Sequence, residues 1–139
     1  MALTYGTLIG IDTIKSNRDE TPLQAALVLF TPTGTYAQAS GSELLAVDAF
    51  IQSQRRDGKA VTLISAALWQ PAFDVGNATP GLLLCAYNIA VSGSNITFNL
   101  SENAAAGVVD VSTQFADATA IPALGSPMGF IVTFTEAGA

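Results

Sequence analysis

The sequence predicts a mainly β protein: a single β-sandwich, jelly-roll-like or barrel domain of about eight strands with one amphipathic helix. Three observations carry this reading. Residues 82–100, LLLCAYNIAVSGSNITFNL, run through ten mostly apolar positions into Ser92-Gly93-Ser94-Asn95. Ile96, Phe98 and Leu100 then alternate with Thr97, Asn99 and Ser101, the period of a strand with one face in a core. Residues 128–135, MGFIVTFT, alternate in the same way. Elsewhere, short β-branched and aromatic runs are separated by Gly, Pro and Asn at regular spacing, and helical periodicity is confined to 40–58.

Taken in order, residues 3–11 (LTYGTLIGI) read as an opening strand, and 12–22 as a polar arm holding five of the sixteen charges. This divides the chain into an N-terminal strand and arm, 1–22, and a β-rich domain, 23–139. Residues 24–30 (QAALVLF) form a second strand, Thr31-Pro32-Thr33-Gly34 a turn, and 35–38 a short return strand that completes a hairpin. The helix is expected over 41–57. Ser40 and Glu43 have the spacing of a capping box, and Leu44, Val47, Phe50 and Ile51 share one face. Arg55 and Arg56 lie in its last turn, and Gly58 suits the left-handed closing residue. Residues 60–69 are a third, strongly apolar strand, and 73–80 a loop. The first arm of the central hairpin, 82–91, is apolar on both sides, as if covered on both faces. Residues 102–107 read as a helical turn or a loop, 107–115 as a strand alternating Val109, Val111 and Phe115 with Asp110 and Ser112, and 116–127 as a loop before the last strand.

Composition narrows function. Of the 139 residues, 50% are hydrophobic but only 12% charged, about half the usual charged share. A small domain has much surface to cover, so part of this surface is expected to be interfacial. All five bases lie in residues 1–59 beside six acids, a net −1; residues 60–139 hold five acids and no base, a net −5. Such a chain lacks the basic surface that drives phosphate-backbone affinity, so no direct nucleic-acid binding is expected. The basic group Arg55, Arg56 and Lys59 is diluted by Asp57 and reads as a solvated helix end. The first apolar run has no basic region before it and is broken by Gly6 and Gly10, so no signal peptide is expected. No apolar run reaches the length of a membrane span.

Chemistry is sparse. Histidine is absent, which removes the commonest general base and metal ligand together. Asp19 and Glu20 are adjacent but without a polar cluster nearby; Asp74, Asp110 and Asp117 lack metal-loop spacing. Gly125-Ser126-Pro127-Met128-Gly129 misses the nucleophile-elbow spacing by one residue, and phosphate-cradling glycine motifs are missing. Cys85, alone in an apolar strand, reads as a small buried hydrophobe. The sequons at Asn77, Asn95 and Asn99 read as chance. Trp69, Tyr87 and Phe73 could form a sugar platform, although Trp69 beside Pro71 reads first as a plug at the core edge. No catalytic residue, metal, cofactor or small-molecule substrate is expected, and the chain is read as not an enzyme.

The length, the Ala/Gly/Thr/Ser-rich strands, the acid bias, the missing His and the loose N-terminal LTYGTLIGIDTIKSNRDETP together resemble the small structural proteins of tailed-bacteriophage virions, of the head decoration or cement type. That resemblance implies a β domain at local symmetry axes, often a homotrimer, clamping neighbouring subunits of the major capsid protein. It places the chain on the capsid exterior of the virion after synthesis in the host cytoplasm, with no membrane partner. Lattice contacts are expected from the charged N-terminal third: Lys15, Arg18, Asp19 and Glu20 of the arm, with Arg55 and Arg56. The alternative is a receptor- or carbohydrate-binding β-sandwich module of a phage fibre or vertex.

Overall fold

A computed structural model describes residues 4–14, 23–31, 34–73, 83–103, 112–115, 117–118, 121 and 127–137; for 4–14 the description is of the backbone. Among the described residues it is mainly β, with two antiparallel sheets, one helix and no closed barrel. The first sheet has the order β1-β2-β9-β4, from β1 (Thr4–Ile14), β2 (Leu23–Thr31), β9 (Met128–Glu136) and β4 (Val61–Gln70). The second has the order β3-β7-β6-β5, from β3 (Ser42–Leu44), β7 (Asn95–Asn103), β6 (Leu83–Ser92) and β5 (Ala72–Phe73), and β8 (Ser112–Gln114) also pairs with β7. Six strands of nine to eleven residues and three of two or three thus replace the eight anticipated. Between β3 and β4 the chain forms α1 (Val47–Gln54).

The sheets meet through alternating side chains. Ala26, Val28 and Phe30 of β2, Phe130, Val132 and Phe134 of β9, and Ile96, Phe98 and Leu100 of β7 are all buried. The Phe98 ring of the second sheet lies 6.0 Å from Phe30 and 5.2 Å from Phe130, centroid to centroid, and those two stack at 5.4 Å. Ring contacts of this kind add about 0.5–1.5 kcal/mol each beyond area burial. The central hairpin is as anticipated: Ser92 pairs with Asn95 around Gly93 at φ +61°. Its first arm differs. Leu84 and Ala86 are buried, but Tyr87, Asn88 and Ala90 are exposed. A bulge between Tyr87 and Ala90, with Asn88 at φ +51°, shifts the alternation, so that beyond it Ile89 and Val91 are the residues packed against the core.

Two expectations fail at the start of the chain's middle third. Residues 35–38 do not return beside β2, because β1 and β9 already occupy both its edges. Instead Tyr36 is fully buried, and its hydroxyl accepts the Leu100 N–H at 3.1 Å and the side-chain amides of Gln114 (2.9 Å) and Asn99 (3.3 Å). Leu100 lies just between the stretches of β7 taken by β3 and β8. Tyr36 and the Phe115 N–H, at 2.9 Å to the Leu100 carbonyl, fill that gap in the ladder.

The second failure is the helix start. Residues 42–44 are strand β3, whose backbone pairs with Phe98, Thr97 and Ile96 of β7. Leu44 is therefore buried from a strand, while Val47 and Ile51 are the residues α1 itself buries. The Ser40–Glu43 capping box does not form. The N-cap is Ala46, in left-handed conformation and without a side-chain cap of its own. The hairpin tip supplies the cap: the Ser94 carbonyl accepts the Val47 N–H (2.8 Å), Asn95 Oδ1 accepts the Ala46 N–H (2.9 Å), and Ser94 Oγ donates to Asp48 (2.7 Å). Glu43 accepts the Asn95 amide at 2.9 Å instead of turning back to Ser40. Helix capping here is a tertiary contact.

Asn95→Ala should therefore destabilise the protein by about 1–2 kcal/mol, the scale of a lost N-cap, read as a lower urea midpoint at unchanged slope; an unchanged midpoint would refute the tertiary cap. Gly41 has φ +69°, and a Cβ there would stand 2.7 Å from the Phe98 carbonyl oxygen. Gly41→Ala should cost about 2 kcal/mol or more, from left-handed strain plus displacement of β3 from β7, and lower the melting temperature accordingly.

Candidate interaction surfaces

The outer face of the first sheet stands out. Its inner face is the core, so the residues between the buried ones point outward: Ala25, Leu27 and Leu29 of β2, Gly129, Ile131 and Thr133 of β9. Cross-strand register aligns them in rows, Leu27 with Ile131 and Ala67, and Ala25 with Thr133 and Ser65. A Cβ on Gly129 would lie 2.7 Å from Leu29 Cδ2 and 3.2 Å from the Trp69 ring. Leu29 and Trp69 thus lean together over the glycine. Leu23, Ile64, Trp69 and Ile131 are 38–50% exposed. No charged residue stands on the β2, β9 and β4 part of this face. Trp69 is accordingly not the core-edge plug that its sequence context suggests.

The outer face of the second sheet is different. Thr97, Asn99 and Ser101 of β7 alternate with the buried set, the ordinary polar-out pattern of an antiparallel sheet. Asn99 is tied to Tyr36, and Asn95 is spent on the helix cap. Cys85 is half-buried, and burial pushes its thiol above the ordinary value. Tyr87 lies on this second sheet, 36% exposed, while Trp69 lies on the first.

Of the anticipated contact residues, Lys15, Arg18, Asp19 and Glu20 lie outside the described residues, as do Asp74, Asn77 and Asp110. Arg55 and Arg56 follow α1, and with Gln24, Gln54 and Asp57 they line an open depression of about 460 Å³. The two arginines are not alike. Arg56 is exposed, whereas the Arg55 side chain is 7% exposed. Arg55 Nε and Nη2 donate to Asp57 at 3.0 and 2.8 Å, and Nη2 also reaches Glu136 at 2.9 Å. Its guanidinium lies 5.8 Å from the Phe134 ring centre, and Nη1 has no partner. Arg55 thus fastens the end of the helix to the end of β9, a role its position in sequence does not show.

Among the described residues, no group of three or more carboxylates or thiols is placed to hold a metal ion, and no helix is long and apolar enough to cross a membrane. Comparison with protein-family models, curated proteins and solved structures finds no match to this chain.

The Arg55 hydrogen bond, followed by that from the Lys59 amide, holds the Asp57 carboxyl below the ordinary carboxylate value. A carboxyl depressed on folding contributes stability above its unfolded pKa, about 3.9, and loses it as pH falls through the folded value. Asp57→Asn should therefore be less stable than the parent protein at neutral pH. The two stability curves should converge below about pH 4. A gap of constant size down to acid pH would refute the ion pair's contribution.

Proposed function

We propose that this chain is a structural virion protein that decorates a phage capsid and cements it by binding neighbouring subunits of the major capsid protein. It works as a closed homo-oligomer on the capsid exterior, without catalysis, cofactor, nucleic acid or membrane. The two-sheet domain, in this reading, is a β-sandwich carrier for contact surfaces. The observation that supports it best is the uncharged, largely apolar outer face that β2, β9 and β4 present, since soluble monomers rarely leave contiguous apolar patches uncovered.

The alternative, a carbohydrate-binding module, draws on the exposure of Trp69. Its neighbours weigh against it: Leu29, Gly129, Ile131 and Ala67 offer no side-chain hydrogen bonds to sugar hydroxyls, and the Gln70 amide N–H is given to the Pro127 carbonyl. A surface of that chemistry suits protein better than glycan.

The charged segment 15–22 is bounded by the paired residues Ile14 and Leu23. Truncating residues 1–20 would remove β1 from its sheet, so the segment is better tested by substitution. With Lys15, Arg18, Asp19 and Glu20 all replaced by Ser, co-sedimentation with purified undecorated tailed-phage shells should weaken at least about tenfold, the effect of losing multivalent grip, while circular dichroism stays unchanged. Full decoration by this variant would remove the segment from the contact. Failure of the intact protein to bind any such shell, or selective binding on a glycan array, would overturn the cement reading.

A further inference from the structure

We propose that the outer face of the first sheet is a two-fold interface with a second copy of this chain, sheet packed on sheet. The inference deepens the assembly reading and rests on it, but it names the surface and the symmetry. It replaces the three-fold arrangement that the resemblance implies.

Three properties of the face select a second copy as its occupant. The first is charge. The chain carries a net −6, so two copies repel wherever acids approach each other. On the described side chains of β2, β9 and β4 the face bears none, and the acid nearest in register is Asp12, at the position opposite Ala25 on the edge strand β1. A charged partner would gain nothing from such a surface; another uncharged face would.

The second is shape. Rows of Leu27, Ile131 and Ala67, and of Leu29, Gly129 and Gln70 with the Trp69 ring beside the glycine, make a pleated surface. Pleated faces pack against pleated faces about 10 Å apart. An identical patch meeting itself does so about a two-fold axis, which closes and makes no fibre.

The third is size. The three strands β2, β9 and β4, of about nine residues each, spaced about 4.8 Å apart with a rise of about 3.4 Å per residue, cover roughly 440 Å² in plan. Side-chain relief enlarges that figure toward the roughly 800 Å² per partner of a standard interface. Ile131, in the middle of β9, and Trp69, toward the end of β4, provide the large side chains of the kind that carry most binding energy in such contacts.

Trp69 is the chain's single tryptophan, so its fluorescence reports on this face alone. On dilution of the purified full-length protein through the micromolar range, sedimentation should show a dimer dissociating to monomer. Over the same range Trp69 emission should shift to the red and become more open to acrylamide quenching. Ile131→Lys, and independently Ala67→Glu, should weaken the dimer at least about thirtyfold, the effect of losing a central contact. Thr97→Lys on the outer face of the second sheet should leave it unchanged. A monomer at all concentrations, a trimer, or a dimer whose Trp69 stays fully quenchable would overturn the proposal. So would dimers of undiminished affinity from both folded face variants. The shells separate the two readings: a monomer that still decorates them sinks the pairing alone, and a dimer without affinity for them sinks the cement reading alone.

Discussion

The contact of Phe98 with Phe30 and Phe130 sets the spacing of the two sheets, and the remaining structure accommodates it. Phe130 belongs to β9, the last strand in sequence, which lies between β2 and β4. The first sheet is therefore incomplete until the C-terminal strand is inserted, and the core cannot close before then. The strand order also explains Arg55. Once β9 sits beside β4, Glu136 lies within reach of the residue following α1, and one guanidinium can tie helix, loop and last strand together. A buried cation costs desolvation; two carboxylates and the Phe134 ring offset it here.

The two outer faces then diverge. β7 follows the rule that an antiparallel strand facing water alternates apolar and polar residues, and its outward Thr97, Asn99 and Ser101 meet it. In β2 and β9 the outward positions include Leu27, Leu29 and Ile131. The first sheet is thus apolar on both faces yet has one partner sheet within the chain. Among the described residues, four of the six exposed large hydrophobics (Leu23, Ile64, Trp69 and Ile131) belong to this sheet, with Leu45 and Tyr87 elsewhere.

Strand positions were legible in the sequence wherever one face is polar. Residues 96–101 and 128–135 alternate, and the structure buries the residues that the alternation selects. Where both faces are apolar, as in 27–30 and 82–86, sequence gives a strand but not its outward side, because that depends on the partner sheet. Trp69 was misread from its neighbour Pro71; alternation from the outward Ala67 through Leu68, which packs on the core, puts it on the outer face. The helix start was illegible for a different cause. Ser40 and Glu43 have the right spacing, but β7 offers 42–44 a ladder to join, and residues 94 and 95 supply the cap from about fifty positions away. Local spacing has no access to that competition. Tyr36 lies in a stretch without periodicity, and nothing nearby in sequence marks the backbone gap its hydroxyl fills.

The charge distribution and the apolar face bear on assembly in complementary ways. An uncharged face supplies affinity through area, is little affected by salt, and discriminates weakly among apolar partners. Charged groups supply register and orientation, but exposed pairs are individually worth about 0–1 kcal/mol. A protein that must recognise one lattice at many equivalent places needs both, preferably on separate surfaces. Here four charges fall within segment 15–22, between the paired Ile14 and Leu23, and two of those are bases. That segment joins β1 to β2, in the same sheet whose strands β2, β9 and β4 present an uncharged outer face. Pairing two sheets through that face would bring two charged segments into one rigid particle. Contacts too weak singly would then act together, since the second binds at the effective concentration set by the first.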